Sequence, residues 1–395
     1  MRVLFLVHGL PVGGTEVMVC HLVQRLRGRG VDVTVGCLDV VGELGETLRS
    51  SGVPLELYGR RPGFDMLLPF RIARAARAVG ADIIHAHQYT CFFYAALAKP
   101  LSGARVVFTE HGRFYPDLPS PKRRIFNRVF GGQADAITAV SHRVKDSLVQ
   151  VEGFPAESIE VIYNGIDVET HETVRAVAVR SARERLEIPA ASRVVGTIGR
   201  LDSIKNQKLL LGACALLARD VPDLVVVLVG DGPERADLES TAGRLGMTGR
   251  TRFLGTRRDV REILPAFDVF ALSSLSEGTP MSLIEAMAAG VPVVSTAVGG
   301  IPEIVEDREE GILVAPEPDW RPDEPALTQS DYPRRFKQAL ERVLLDSALA
   351  ERLRGNARSR ARRCFTIDGI TEQYLNLYGR WSPAGHASPV GLSAH

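Results

Sequence analysis

The chain has 395 residues, 45% hydrophobic and 24% charged, with a formal net charge of +1 at neutral pH. That length suits two domains rather than one core, and so small a net charge argues against broad electrostatic binding to nucleic acid. The five cysteines (Cys20, Cys37, Cys91, Cys214 and Cys364) are odd in number and contain no CxxC pair, which favours reduced thiols in a cytosolic setting over a disulfide frame or a zinc site.

Residues 3–7 form a continuous apolar run, expected for a strand buried on both faces of a parallel sheet and too short for a signal peptide. A glycine-bearing loop, HGLPVGG, follows. Thr15 is then a candidate N-cap for a helix to about Arg29, with Val19, Leu22, Val23 and Leu26 along one side. The alternation repeats: strand 31–38, helix near 66–79, strand 83–85, helix near 89–99, strand 105–109. A basic segment from Lys122 to Phe130 leads to strand 135–140, a helix capped by Ser141 and strand 159–163. Strands separated by helices of this length predict a doubly wound sheet.

A charged stretch over 168–189 with little strand pattern is the expected connection between domains. The grammar then restarts: strand 193–199, a polar loop to Asn206, helix 207–219, strand 224–229, and Gly230-Asp231-Gly232-Pro233 opening another helix. Strands 251–255 and 269–272 precede SSLSEGTPMSLIEAMAAGVPVVST, which reads as loop, helix, Gly290 stop and strand 291–295. Pro280 is expected in the first helical turn. A proline-rich insertion over 316–333 (Pro318, Pro322, Pro325, Pro333) reads as surface loop, helices near 332–345 and 348–364 close the domain, and one more covers 367–381. The tail 382–395 reads as disordered. No apolar stretch approaches the roughly 20 residues that a membrane helix needs.

Several residues at predicted strand ends have the chemistry of ligands. Gly13 and Gly14 before a helix let backbone N–H groups approach an anion, or they simply make a tight turn. This is not GxGxxG, and Asp39 is only the nearest candidate for the acid of a dinucleotide site, so hydride transfer is disfavoured. Arg200 and Lys205 after strand 193–199 can neutralise a diphosphate; the alternative is two solvated loop charges. Glu277 and Glu285 would point about 80° apart on one continuous helix, but with Glu277 in the preceding loop both can reach one hydroxyl-rich ligand. Glu285 also fits a capping box with Ser282, and spacing leaves both readings open. His111, and likewise His8, His85 and His87, occupy strand-end positions. There they serve structure or contact a sugar. No metal-ligand spacing, GxSxG element or P-loop occurs.

Taken in order, HGLPVGGTE, EHG at 110–112, VSHRVKDSL at 140–148, VIYNGID at 161–167, GRLDSIKNQ at 199–207, VGDGPE at 229–234, FLG at 253–255 and SEGTPMSLIEAMAAGVPVVST at 276–296 resemble glycosyltransferase family 4, the retaining nucleotide-sugar enzymes with a GT-B fold. The likeness runs to about Val314 and includes the Glu-x7-Glu spacing of Glu277 and Glu285. It implies an α/β fold of two Rossmann-like doubly wound domains facing across a cleft. Residues 1–168 would form the acceptor domain and 169–366 the donor domain, with the helix at 367–381 packing back on the first.

The resemblance also implies roles. Glu285 would hold the ribose hydroxyls, Glu277 would contact the donor sugar, and Arg200 with Lys205 would hold the diphosphate. Gly13 and Gly14 would let the first-domain backbone approach the donor, with His111 near the reacting centre. The base would lie against Arg252, Phe253 and Leu254, near Gly230. The segment Gly278, Thr279, Pro280, Met281, Ser282 and Leu283 would meet phosphate and ribose through its backbone. The implied reaction moves a hexose from a nucleoside diphosphate sugar, with UDP or GDP as the carrier, to a saccharide, lipid-linked or small-molecule acceptor, with no metal and no cofactor. The rival readings are a nucleotide-sugar 2-epimerase of the same fold and a non-catalytic nucleotide-sugar-binding protein. A cytoplasmic location is expected, with the segment from Lys122 to Phe130 a candidate for peripheral membrane contact.

Overall fold

A computed structural model describes residues 1–112, 117–171, 175–317, 320 and 326–381. Pro318, Pro322, Pro325 and the expected disordered tail 382–395 lie outside the described residues. The first domain holds strands β1 (Arg2–Gly9), β2 (Asp32–Val40), β3 (Leu55–Leu57), β4 (Ile83–His87), β5 (Arg105–Glu110), β6 (Ala136–Ala139) and β7 (Ile159–Val161). They form one parallel sheet in the order β3-β2-β1-β4-β5-β6-β7. The second holds β8 (Arg193–Ile198), β9 (Leu224–Val229), β10 (Thr251–Phe253), β11 (Val269–Leu272), β12 (Val293–Thr296) and β13 (Gly311–Val314), in the order β10-β9-β8-β11-β12-β13. Every pairing between these strands is parallel. The interior strand β9, LVVVLV, is buried along nearly its whole length, as a strand covered by helices on both faces must be.

Two features of this topology position the site. Strand order reverses between β1 and β4 in the first sheet and between β8 and β11 in the second, and such switch points open a crevice at the carboxyl ends of the strands. The end of β1 with its loop carries His8–Gly13, and the loops after β4, β8 and β11 carry Gln88, Arg200–Lys205 and Ser273–Pro280, so most candidate residues emerge at these two crevices.

The helix Ile367–Gly379 returns to the first domain. Ile166 and Ile367 tie the crossing by backbone hydrogen bonds, Ile166 N to Phe365 O at 2.9 Å and Ile367 N to Ile166 O at 2.7 Å. Tyr374 and Tyr378 are fully buried on the first sheet; each ring removes on the order of 200 Å² from water, a gross ~5 kcal/mol. Arg25 adds an ion pair to Asp167 at 2.9 Å.

Some local expectations need correction. The first helix begins at Gly14 with Gly13 at the cap position and no side-chain cap, so Thr15 lies inside it. Pro280 occupies the N-cap rather than the first turn of helix Met281–Ala288. Helix Gly42–Ser50 and β3 leave little trace in the sequence pattern, because the helix buries only Gly45 and Leu48 and β3 is a short, largely exposed edge. The charged connector contains helix Arg175–Arg185. In the proline-rich segment, Pro333 is in the first turn of helix Asp331–Leu345, and Trp320 is buried against Tyr332 with ring centroids 5.5 Å apart. Among the described residues, no helix is long and apolar enough to cross a membrane.

Candidate active site

The second-domain crevice is knitted together by short polar side chains. Ser273 Oγ donates to the carbonyls of Lys205 at 3.1 Å and Asn206 at 3.0 Å, and Thr296 Oγ1 donates to Ser274 O at 2.7 Å. The two Ser273 bonds hold the loop after β11 against the loop after β8, and the Thr296 bond ties it to the end of β12. Lys205 Nζ thereby reaches Glu277 Oε1 at 2.6 Å, and Ser274 Oγ donates to the same oxygen at 2.6 Å. Only 8% of the Glu277 side chain is exposed. A carboxylate so enclosed requires a cation or hydrogen-bond donors, and Lys205 and Ser274 supply both.

Arg200 does not join this cluster. Its side chain is 71% exposed and its nearest carboxylate, Asp202, is 3.8 Å away. The expected pair of cations is therefore one fixed ammonium, Lys205, and one guanidinium in solvent at the rim. Gly230 has φ +135°, and a Cβ there would strike the carbonyl of Gly199. Glycine is thus required for the loop after β9 to pack beside the loop after β8. Arg252 and Phe253 lie half-buried on the edge strand β10, and Leu254 N bonds to Leu228 O at 2.9 Å.

Helix geometry excludes the capping box at Glu285. With Pro280 at the N-cap, Ser282 is the second helical residue and cannot cap through Glu285. Glu285 is instead in the helix's second turn. Burial pushes its carboxyl up to about 7, opposed only by the charge of Arg261. Met281, Leu283 and Ile284 are buried and anchor the helix, while Ser282 is part-exposed.

The two domains meet across this same loop. A Cβ on Gly278 would run into the carbonyl oxygen of His111, so glycine permits backbone-to-backbone approach. Thr279 Oγ1 donates to Val140 O, and Asn164 Nδ2 donates to Thr279 O at 3.1 Å. Gly14 faces Met281, whose Cγ lies 3.4 Å from the position of a Cβ at Gly14. A Cβ at Gly13 would strike the Glu16 carboxylate, so that glycine makes room for a neighbouring side chain. Glu303 accepts from His142 N at 2.7 Å, Arg143 N at 2.9 Å and Tyr163 OH at 3.0 Å. It thus caps a first-domain helix from the second domain. Glu303 and Asn164 escaped the sequence reading, since a lone acid in a four-residue helix and an asparagine in a turn give no periodic signal.

The histidines form a buried stack at the carboxyl ends of β4 and β5. His85 and His87 share one face of β4, as residues two apart must, with ring centroids 4.1 Å apart. His87 and His111 stack at 5.0 Å, and His87 Nδ1 lies 2.7 Å from His111 Nε2. His85 bonds Thr109 Oγ1 at 2.7 Å and Tyr378 OH at 2.6 Å. Burial holds His85 and His87 well below the ordinary histidine value and brings His111 to about 4, with Asn164 opposing the drop. All three are neutral at pH 7. Asp39 is engaged by Arg60 at 2.8 and 2.9 Å, with His8 at 3.5 Å, which removes it as a free ribose acid. Among the described residues, no group of three or more His, Cys, Asp or Glu side chains is placed to hold a metal.

Two parallel α/β domains with facing switch-point crevices and an acid-and-lysine cluster between them define a GT-B architecture. Residues 12–170 match the Glycosyltransferase Family 4 model, and residues 179–360 match the model Glycosyl transferases group 1. The chain belongs to glycosyltransferase family 4. It is 28% identical to N-acetyl-alpha-D-glucosaminyl L-malate synthase of Bacillus anthracis, over 93% of this chain and 94% of that one. It is 30% identical to the lipopolysaccharide core biosynthesis glycosyltransferase LpsE of Rhizobium meliloti, over 92% and 95%. Among solved structures, Anabaena Alr3699/HepE in complex with UDP and glucose superposes with a TM-score of 0.80 at 26% identity, covering 96% of this chain and 99% of that one.

Proposed function

We propose that the protein transfers a hexose from a nucleoside diphosphate sugar, with UDP the leading carrier, to an acceptor hydroxyl with retention at the anomeric carbon. The observation that carries this reading is the Lys205–Glu277 pair at the β8/β11 crevice, with Glu285 on the helix that follows the same loop. One cation suits a diphosphate, and two carboxyls suit sugar and ribose hydroxyls. The UDP and glucose in the HepE complex support the choice of carrier. In the proposed step the bond from the anomeric carbon to the diphosphate oxygen breaks while the acceptor oxygen bonds the same face. The acceptor proton passes to the departing phosphate oxygen. Lys205 stabilises the developing charge, and Arg200 reaches the phosphates from the rim when the cleft closes. Gly14 and His111 line the opposite wall, and no metal takes part.

The names of the relatives point to L-malate and the lipopolysaccharide core, and these set the acceptor panel. Incubation with UDP-glucose or UDP-N-acetylglucosamine and each acceptor, followed by proton NMR of the product, is expected to give the α-anomer, and its formation is expected to continue in EDTA. A β-anomer would overturn retention. Isomerised donor without acceptor would make the protein an epimerase, and binding without turnover a sensor.

The proposal includes a cytoplasmic location and peripheral contact with an anionic membrane through helix Pro121–Phe130. Ile125 is 66% and Val129 64% exposed there, beside exposed Lys122, Arg124 and Arg128. A groove of about 800 Å³ adjoins this helix at the amino ends of β6 and β7, bordered by Arg124, Arg128 and Arg380. It lies at the opposite end of the strands from the active-site cleft. Sedimentation with phosphatidylserine vesicles, lost in an Ile125→Asp/Val129→Asp variant, is the expected result; equal sedimentation of both proteins would refute the contact.

A further inference from the structure

The large apolar side chains that reach solvent are gathered in one domain. Among the described residues, eleven of the twelve exposed large apolar side chains lie in the first domain, with Leu345 the exception. Four of them, Phe64, Met66, Leu67 and Phe70, fall in one short stretch and are between 56% and 71% exposed. So dense an apolar patch marks a surface that something covers.

The fold drives these side chains outward. Asp65 is 3% exposed and accepts from Arg61 N and Leu67 N, both at 3.1 Å, and from the Arg71 guanidinium. Asp65 N in turn donates to the Tyr94 hydroxyl at 3.0 Å. The polar residue of the loop is therefore the buried one, and its apolar neighbours face solvent. The helix that follows, Leu68–Ala78, buries Leu68, Pro69, Ile72, Ala73 and Ala76. Phe70, Arg74 and Arg77, at i, i+4 and i+7, share its exposed face.

The patch continues across the domain. Phe64 meets Phe93 edge-on at 5.7 Å, Phe93 meets Phe126 at 4.4 Å, and Phe126 stacks on Phe130 at 4.9 Å. One row of rings thus joins the loop to helix Pro121–Phe130, whose Ile125 and Val129 are also exposed. Charge accompanies the apolar surface. Residues 57–79 hold five arginines and one acid. Asp39 pairs with Arg60 and Asp65 with Arg71, which leaves Arg61, Arg74 and Arg77 exposed as the outward charge. Apolar side chains beside cations match the interface of an anionic bilayer, where acyl chains lie beneath charged headgroups. A second copy of the chain fits worse, because a two-fold contact would set these arginines against one another.

We infer that the segment 61–77 is a bilayer-docking element. Phe64, Met66, Leu67 and Phe70 enter the headgroup boundary, and Arg61, Arg74 and Arg77 pair with anionic lipids. This element is separate from the helix contact proposed above and does not depend on the donor site. Its loop follows β3 at the carboxyl end of the sheet, and Arg60 ties it to Asp39 near the end of β2 at 2.8 Å. Docking therefore seats the bilayer at the same end of the first sheet as the cleft.

The test uses the full-length protein and phosphatidylcholine vesicles with and without phosphatidylserine. Cys364 is the exposed cysteine and the other four are buried, so Leu67→Cys combined with Cys364→Ser takes an NBD label at the loop. Its emission is expected to rise and shift to the blue when phosphatidylserine vesicles are added. Phe64→Ser/Met66→Ser/Leu67→Ser/Phe70→Ser, and separately Arg74→Glu/Arg77→Glu, are expected to bind those vesicles about tenfold or more weakly. Melting temperature and stabilisation by UDP-glucose should not change. The two arginines lie on exposed helix surface, so their variant reads the patch even where the serine variant folds poorly. An unchanged label spectrum on protein that sediments with vesicles, with sedimentation lost in Ile125→Asp/Val129→Asp, would assign the contact to helix Pro121–Phe130 alone and overturn the docking role. Unchanged vesicle affinity in both variants would overturn it as well. So would a label already blue-shifted without lipid that returns on dilution, the sign of a second copy covering the patch.

Discussion

Glu285→Gln separates stability from donor binding. The Glu285 carboxyl ionises near 4.5 in an unfolded chain and near 7 in the folded one, because burial disfavours its charge. Below pH 4.5 both states are protonated and the residue costs nothing. As pH rises from 4.5 to about 7 the unfolded state alone releases the proton, so stability falls, and above 7 the loss is constant. At ~1.4 kcal/mol per pKa unit the bound is ~3.5 kcal/mol, and since the residue is only half-buried by surface area, ~2 kcal/mol is the working figure. Glutamine fills the same space without ionising, so the variant is expected to melt a few degrees higher at about pH 8 and alike at about pH 4.5. In the proposed site the same change removes a charged acceptor from the ribose hydroxyls, worth ~1.5–3 kcal/mol, so UDP should bind roughly ten- to a hundredfold more weakly. Differential scanning fluorimetry across pH and calorimetric titration with UDP read the two effects. A lower melting temperature at the alkaline end, or unchanged UDP affinity, would refute the reasoning.

The two candidate cations should behave differently. Lys205→Ala strands the enclosed Glu277 carboxylate and should cost ~1–3 kcal/mol of stability as well as about a hundredfold in transfer rate, whereas Arg200→Ala should lower the rate with no change in melting temperature, since its guanidinium is solvated. Gly278→Ala should destabilise by ~1–3 kcal/mol and lower kcat/KM, because the new methyl must push the donor loop off the His111 carbonyl; a variant with normal melting and rate would show that the contact yields freely. Acid sensitivity should follow the buried histidines. Their folded values lie below the unfolded 6.5, so their contribution is complete above pH 6.5 and is lost as pH falls, through about 4 for His111. Each histidine adds ~1.4 kcal/mol per pH unit in that window, and urea midpoints should fall steeply between about pH 7 and about pH 4.5; a flat profile would contradict neutral burial.

Most of the strands and the two-domain parallel architecture were legible because buried parallel strands are continuous apolar runs, and the residues at their carboxyl ends stand out as polar. The limits of β9, Leu224–Val229, coincide with those of its apolar run. What escaped notice depends on contacts distant in sequence. Lys205 and Glu277 are both conspicuous at strand ends, but their mutual pairing and the isolation of Arg200 follow from how two loops pack. Whether Glu285 completes a capping box turned on whether the helix began at Pro280 or two residues later, a boundary that spacing does not fix. His85 and His87 carried a readable signal, two histidines on one strand face. Their stack with His111 required β5 to pair beside β4.

Calorimetric titration of the unmodified protein and Glu285→Ala with UDP and UDP-glucose tests the central claim most directly. Saturable binding of both ligands to the unmodified protein, reduced about tenfold or more in the variant, is the expected result. Equal affinity in the two proteins, or no binding of either ligand to the unmodified one, would contradict a nucleotide-sugar site at the β8/β11 crevice.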